Sequence, residues 1–118
     1  MLLPLLSLLA SIPAIERPFS GKYLYETKPG TYLCANCKNP LFHSEDKYDA
    51  GSGWPSFRKT IDPKSVYYLE DRNLPFKRYA VHCRGCDAHL GHLFNDGPPP
   101  KGFRYCINSI TLFLEIQL

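Results

Sequence analysis

Short runs of apolar and β-branched residues, separated by turn signals, make up most of the chain. Such runs predict strands over residues 31–34, 66–69 and 78–82, because their side chains suit a pleated, half-buried surface. A longer run predicts another strand over residues 103–114. No stretch shows the apolar period of a long helix. The pattern therefore predicts a mainly β protein.

A further apolar run, residues 89–94, precedes the turn signal Asn-Asp-Gly and three prolines. Because residues 103–108 follow this turn, the two segments can pair as an antiparallel hairpin with a long loop. That pairing would bring an imidazole of the first segment close to Cys106 in the second.

Cys106 is the one cysteine without an obvious partner in the sequence. Alternate side chains of a strand share a face, so Arg104, Cys106 and Asn108 would point the same way. A nearby cation favours the reactive thiolate, and a histidine can supply a proton near neutral pH. Cys106 is therefore a candidate nucleophile. A buried structural cysteine is the alternative, since free cysteine is among the most buried residue types.

Length and charge narrow the class of protein. The 118 residues suit one domain with one core. Fourteen basic and eleven acidic residues give a net charge of +3, without a cluster of lysines and arginines. This balance argues against a nucleic-acid partner. Five cysteines are too few, and odd in number, for a disulfide scaffold.

The first fifteen residues are mostly apolar and differ from the rest of the chain. They are too few to span a membrane, which takes about 20 residues, so no membrane span is expected. We expect residues 1–15 to be an apolar tail or a weak targeting segment, and residues 16–118 to form a single domain. The cytoplasm is slightly favoured as the compartment, with a secretory or organellar location as the alternative.

The other four cysteines form two Cys-x-x-Cys pairs, each after an extended run. This arrangement is typical of zinc knuckles, and two knuckles supply four thiolates for tetrahedral zinc. Because four thiolates leave no open position, we predict one structural zinc ion per chain that clips two distant segments together. Two redox dithiols, or disulfides in an exported protein, are the less favoured alternatives. The predicted ligands are Cys34, Cys37, Cys83 and Cys86.

Trp54 is the only tryptophan, and it lies between Gly53 and Pro55. Glycines on both sides of Ser52 indicate an unusual backbone path or the close approach of a ligand. Trp54 is thus a candidate aromatic wall for a small apolar group of a substrate. Core packing is the alternative for a side chain of this size.

Several motifs, together with the two cysteine pairs, resemble the methionine-R-sulfoxide reductases of the B class. The likeness covers about residues 16–114, and the motifs occur in the order found in that family. They are RPFSGKYLY at 17–25, GSGWPSF at 51–57, HLGHLFNDGPPP at 89–100 and RYCINS at 104–109.

The resemblance implies a fold of two antiparallel β-sheets, in a tent-like arrangement with zinc at one end. It implies reduction of the R epimer of methionine sulfoxide in proteins, with Cys106 attacking the sulfoxide sulfur. His92 would donate a proton or hydrogen bond to the oxygen with His89 beside it, and Asn108 would orient them. The expected substrate contacts are Trp54, Arg104 and Phe94.

One position departs from many members of that family. Ser52 stands where some members carry a resolving cysteine, and the remaining cysteines are assigned to the metal. We therefore expect a single-cysteine cycle, in which thioredoxin or a small thiol reduces the sulfenic acid on Cys106. A monomer is expected. The alternative function is a zinc-stapled β module that binds partners without catalysis.

Overall fold

The computed structural model describes residues 16–72 and 78–118. The segment predicted to be an apolar tail or weak targeting signal, residues 1–15, lies outside the described residues. Within the described ranges the regular structure is nine β-strands and three short 3-10 turns, with no α-helix. The strands are β1 (Gly30–Cys34), β2 (Pro40–His43), β3 (Lys47–Tyr48), β4 (Ser56–Phe57), β5 (Val66–Asp71), β6 (Arg78–Cys83), β7 (His89–Phe94), β8 (Arg104–Ile107) and β9 (Leu112–Ile116).

The strands form two separate antiparallel sheets, as the resemblance implied. The smaller sheet has the order β2-β1-β9, and the larger has the order β3-β4-β8-β7-β6-β5. The strands predicted over residues 31–34, 66–69 and 78–82 correspond to β1, β5 and β6. The mainly β prediction is therefore confirmed. Among residues 16–72 and 78–118, no helix has the length and apolar composition needed to cross a membrane.

Aromatic side chains join the two sheets in one core. Phe42 of the smaller sheet stacks on Phe57 of the larger, with ring centroids 4.3 Å apart. Phe42 also meets Tyr105 edge-on at 5.7 Å, and Tyr32 meets Phe57 at 5.2 Å. All four rings are buried. Such pairs contribute about 0.5–1.5 kcal/mol each beyond their buried area, so they hold the sheets in one relative position.

The prediction of one continuous strand over residues 103–114 is wrong, because a turn interrupts the strand after Ile107. β8 ends at Ile107, a 3-10 turn (Ser109–Thr111) follows, and β9 then joins the other sheet. The backbone N–H and the side-chain hydroxyl of Thr111 both donate to the carbonyl oxygen of Asn108, at 3.0 and 2.7 Å. These local bonds close the turn against the β preference of the sequence, because a hydroxyl side chain can compete for backbone partners.

Candidate active site

The hairpin predicted from the sequence is present and sets the geometry of the site. β7 pairs with β8 so that His92 lies directly opposite Cys106, and Phe94 lies opposite Arg104. Directly paired residues of antiparallel strands point to the same face. Gly91 permits this close approach, because a Cβ at that position would overlap the carbonyl oxygen of Cys106. On its other side Cys106 pairs with Ser56 of β4.

A pocket of about 160 Å³ opens on this face of the larger sheet. A volume this small suits one amino-acid side chain rather than a larger ligand. The alternation along β8 places Arg104, Cys106 and Asn108 on the pocket side, as predicted, while Tyr105 and Ile107 are buried. Of the seven predicted catalytic and substrate residues, six line the pocket: Trp54, His92, Phe94, Arg104, Cys106 and Asn108.

His89, the seventh, does not line the pocket. Its ring lies behind that of His92, edge to face, with centroids 5.2 Å apart, and it meets His82 at 5.3 Å on the other side. Burial, together with the neighbouring imidazoles of His92 and His82, lowers the pKa of His89 to about 4. His89 is therefore neutral at physiological pH and contacts His92 rather than the pocket.

Sequence reasoning missed the partners of His92. The Nε2 atom of His92 lies 2.9 Å from Oδ2 of Asp71, and the Nε atom of Arg78 lies 3.4 Å from the same oxygen. Asp71 and Arg78 are directly paired on β5 and β6. The strand predicted over residues 66–69 ends two residues before Asp71, and only its extension to residue 71 in a hairpin with the strand over 78–82 would have placed Asp71 opposite Arg78. Burial lowers the pKa of His92, and the hydrogen bond that its Nε2–H donates to Asp71 opposes that shift.

The Cys106 thiol is buried enough to be protonated at rest. Burial raises the pKa of Cys106, while Ser52 and Arg104 act in the opposite direction. The Oγ atom of Ser52 lies 3.9 Å from the Sγ atom of Cys106. The pKa is raised because the loss of hydration outweighs the hydroxyl of Ser52 and the charges of Arg104 and Arg78.

Arg104 is held beside Cys106 by two contacts. Its Nε and Nη2 atoms lie 2.8 and 3.3 Å from the two carboxylate oxygens of Asp96, a residue that the sequence marked only as part of a turn. Its guanidinium carbon lies 4.2 Å from the ring centroid of Phe94. A forked ion pair and a ring contact together fix the plane of a guanidinium. Phe94 thus lines the pocket and also positions a cation in it.

Trp54 reaches the pocket through the irregular backbone that its glycines predicted. Gly51 and Gly53 have φ values of +70° and +93°, which favour glycine. The indole Nε1–H donates to the backbone oxygen of Glu16 at 2.8 Å. Trp54 is only partly buried and contributes a wall of the pocket instead of joining the core cluster.

The two Cys-x-x-Cys pairs converge at a second site. Their four Sγ atoms all lie within 4.8 Å of one another. Cys34 and Cys86 are 3.7 Å apart, and Cys37 and Cys83 are 3.6 Å apart. Tetrahedral zinc with bonds of about 2.3 Å requires sulfurs about 3.8 Å apart, so these distances fit the predicted metal. The close contacts run between the pairs, and all four cysteines are free of disulfides.

The two knuckles have the same backbone design. Lys38 and Asp87, which each follow the second cysteine, have φ of +66°, and their N–H groups donate to the carbonyl oxygens of Cys34 and Cys83. Gly85 also donates to the sulfur of Cys83 at 3.3 Å. Tight turns with N–H groups aimed at sulfur are suited to hold charged thiolates. The cluster therefore fits one zinc ion.

A partly buried thiol, paired across two strands with an imidazole, is an arrangement found in enzymes that use cysteine as a nucleophile. The sequence family described as the SelR domain matches residues 9–115. A peptide methionine sulfoxide reductase MsrB from Pasteurella multocida strain Pm70 is 52% identical over 100 residues, which cover 85% of this chain and 77% of the relative. The chain therefore belongs to the MsrB family of peptide methionine sulfoxide reductases. Membership favours the catalytic interpretation over the non-catalytic binding module.

The cysteine cluster should stabilise the fold through zinc. Replacing Cys34 with Ser removes one thiolate and should abolish stoichiometric zinc binding, since three soft ligands hold the ion less tightly. The melting temperature should fall by at least about 10 °C, because losing a structural metal is among the largest single-site effects. Zinc content and thermal unfolding would be measured together. Cys106→Ser, which also removes a thiol, is the matched control and should keep its zinc; equal stability of the two variants would contradict a structural role.

The raised pKa of Cys106 has a measurable consequence. Less thiolate is present at any given pH below that pKa, so alkylation by iodoacetamide should be slow at pH 7 and should still be rising at pH 9. Peptide mass spectrometry of the segment containing residue 106 separates this label from the zinc ligands. In Arg104→Met the rate should be lower still between pH 7 and 9, because the cation that favours thiolate is gone. A rate that reaches its plateau by pH 7 would refute the assignment.

Proposed function

We propose that this protein reduces the R epimer of methionine sulfoxide in proteins to methionine, with Cys106 as the nucleophile. The observation that carries the proposal is the direct pairing of His92 with Cys106 in a pocket one side chain wide. The aromatic wall of Trp54 suits the methyl group of the substrate. The sulfoxide sulfur is chiral and carries a methyl group, an oxygen and the rest of the methionine side chain. The pocket then offers a distinct surface to each of these three substituents.

The reaction moves one oxygen atom and two electrons. The sulfur of Cys106 attacks the sulfoxide sulfur, and its thiol proton passes through His92 to the sulfoxide oxygen. The protonated oxygen then passes as a hydroxyl from the substrate sulfur to the sulfur of Cys106, and the S–O bond of the substrate and the bond between the two sulfurs break. The substrate sulfur gains two electrons and leaves as a thioether, while Cys106 loses two and becomes a sulfenic acid. Since Nε2 of His92 is bonded to Asp71, Nδ1 is the ring nitrogen left for the proton transfer.

The remaining pocket residues orient these groups. The amide of Asn108 donates to the carbonyl oxygen of Leu90 at 3.2 Å, which holds it beside β7 and His92. Arg104 stabilises developing negative charge near Cys106. Arg104, Phe94 and Trp54 contact the substrate, and His89 keeps the ring of His92 in place from behind. The zinc, when bound, supplies structural support and takes no part in the reaction.

Regeneration requires a thiol from outside the chain. Ser52 stands where some members of the family carry a resolving cysteine, and its hydroxyl lies 3.9 Å from the sulfur of Cys106. A hydroxyl cannot form a disulfide. The other four cysteines are gathered in the zinc cluster. The sulfenic acid therefore condenses with thioredoxin or a small thiol, releasing water, and a second thiol then releases Cys106. The protein acts as a monomer in this cycle.

The nucleophile assignment is tested with the two epimers of dabsylated methionine sulfoxide and dithiothreitol. Only the R epimer should be reduced. Cys106→Ser should lower the rate at least about a thousandfold, because no other described side chain can replace the nucleophile. His92→Asn should lower it by about a hundredfold or more, as expected for a lost proton donor. Residual activity of Cys106→Ser near that of the wild type, with normal zinc content, would remove Cys106 from the proposed role.

The single-cysteine cycle is tested by mass spectrometry after one equivalent of substrate without reductant. The wild type should carry one added oxygen on the peptide containing residue 106, or a thiol adduct once a small thiol is present. Ser52→Cys should form an internal disulfide with Cys106 instead, because the two side-chain atoms already lie 3.9 Å apart. A wild-type disulfide between Cys106 and a zinc ligand would overturn the cycle.

A further inference from the structure

Glu16 connects two walls of the pocket that are far apart in the sequence. Its backbone N–H donates to Oδ1 of Asn108 at 3.1 Å. Its backbone oxygen accepts from the indole of Trp54 at 2.8 Å. The segment is anchored again at Phe19, whose N–H donates to the oxygen of Gly53 at 2.8 Å. One residue outside the pocket therefore contacts a side chain on each of two pocket walls.

The carboxylate of Glu16 makes a separate set of contacts. Its Oε2 and Oε1 atoms accept from the backbone N–H groups of Ser109 and Ile110, each at 3.1 Å. These are the first N–H groups of the 3-10 turn, which have no partner within the turn itself. An ionised acceptor on backbone N–H groups makes a stronger bond than a neutral one. Glu16 therefore caps this turn, although the two N–H groups lie 93 and 94 residues away in the chain.

Asn108 is the residue that would ordinarily cap this turn. It occupies the N-cap position, where asparagine is among the preferred residues, yet its side chain makes no capping bond. Instead its amide donates to the oxygen of Leu90 and lines the pocket. Because the carboxylate of Glu16 takes the two N–H groups, the side chain of Asn108 is released for the site.

We propose that Glu16 is a positioning residue of the active site, which caps the turn after β8 so that Asn108 faces the pocket and which holds Trp54 opposite. Without the carboxylate, the Asn108 side chain would compete for the exposed N–H groups and turn away from His92. The inference rests on the proposed function, because the consequence of misplacing Asn108 is a slower reduction of the sulfoxide.

The experiment compares full-length Glu16→Ala and Glu16→Gln with the wild type and with Glu45→Ala, an exposed glutamate on the 3-10 turn that follows β2. In Glu16→Ala we expect kcat for the R epimer to fall about tenfold, since small misplacements of catalytic groups have large effects, with a smaller rise in KM. Glu16→Gln keeps one acceptor and should be intermediate. Glu45→Ala should match the wild type.

Trp54 supplies a second readout, because it is the single tryptophan. Its fluorescence emission should move to longer wavelength in Glu16→Ala and remain near the wild-type value in Glu45→Ala. A residue that merely stabilised the fold would leave both kcat and the emission unchanged in protein that is still folded by circular dichroism and still binds zinc. Should Glu16→Ala fail that folding criterion, Glu16→Gln carries the comparison.

A double-mutant cycle with Asn108→Ala tests whether Glu16 acts through Asn108. If Glu16 acts through Asn108, most of the kcat effect of Glu16→Ala should disappear when Asn108 is already alanine. Additive losses in kcat, or an active wild type with kcat in Glu16→Ala unchanged within about twofold, would overturn the inference. An inactive wild type would instead refute the proposed function, so the two failures are distinguishable.

Discussion

The register between β7 and β8 is the constraint on which the site depends. His92 and Cys106 share one face because the two residues are directly paired, and a shift of one residue would move the imidazole to the opposite face. The core enforces this register, since Leu90 and Ile107 are both fully buried on the other face. The missing side chain of Gly91 lets the strands approach closely enough for the pairing. The register that packs the core is therefore the same register that places His92 opposite Cys106.

The cysteine cluster holds the smaller sheet and the larger sheet together. Cys34 ends β1 in the smaller sheet, and Cys83 ends β6 in the larger one. Four thiolates on one ion would tie these strand ends together. The binding would offset the entropic cost of closing the long chain segment between Cys37 and Cys83. β6 is the neighbour of β7 and carries Arg78, the partner of Asp71. A structural metal at the strand ends therefore supports the contacts behind His92 without lying in the pocket.

Local patterns in the sequence were enough for β1, β5, β6, the two knuckles and the hairpin, because each depends on residues near one another in the chain, but they did not predict the short strands β2, β3 and β4. They also brought together Arg104, Cys106, Asn108 and an imidazole, whereas Phe94 was named only through the resemblance to the family. What they missed was long-range: Asp71 behind His92, Asp96 on Arg104, and Glu16 across from Asn108. The wrong continuous strand over 103–114 has the same origin. Its β-branched residues favour extension, whereas the turn at Ser109 is capped by a carboxylate from the other end of the domain.

Burial shifts the pKa values of Cys106 and His92 in opposite directions, and both shifts favour the neutral form of the group. It raises the pKa of Cys106 and lowers that of His92, so both groups are neutral at rest and one proton remains on the sulfur. A neutral thiol is a poor target for oxidants, which react with thiolate. This protection matters where Ser52 offers no second sulfur to trap an oxidised Cys106 as a disulfide. In the proposed mechanism a bound sulfoxide would change this balance, because its oxygen would accept the proton that leaves Cys106 through His92. Asp71, which lies 2.9 Å from Nε2 of His92, would favour that transfer by stabilising the imidazolium formed on the way.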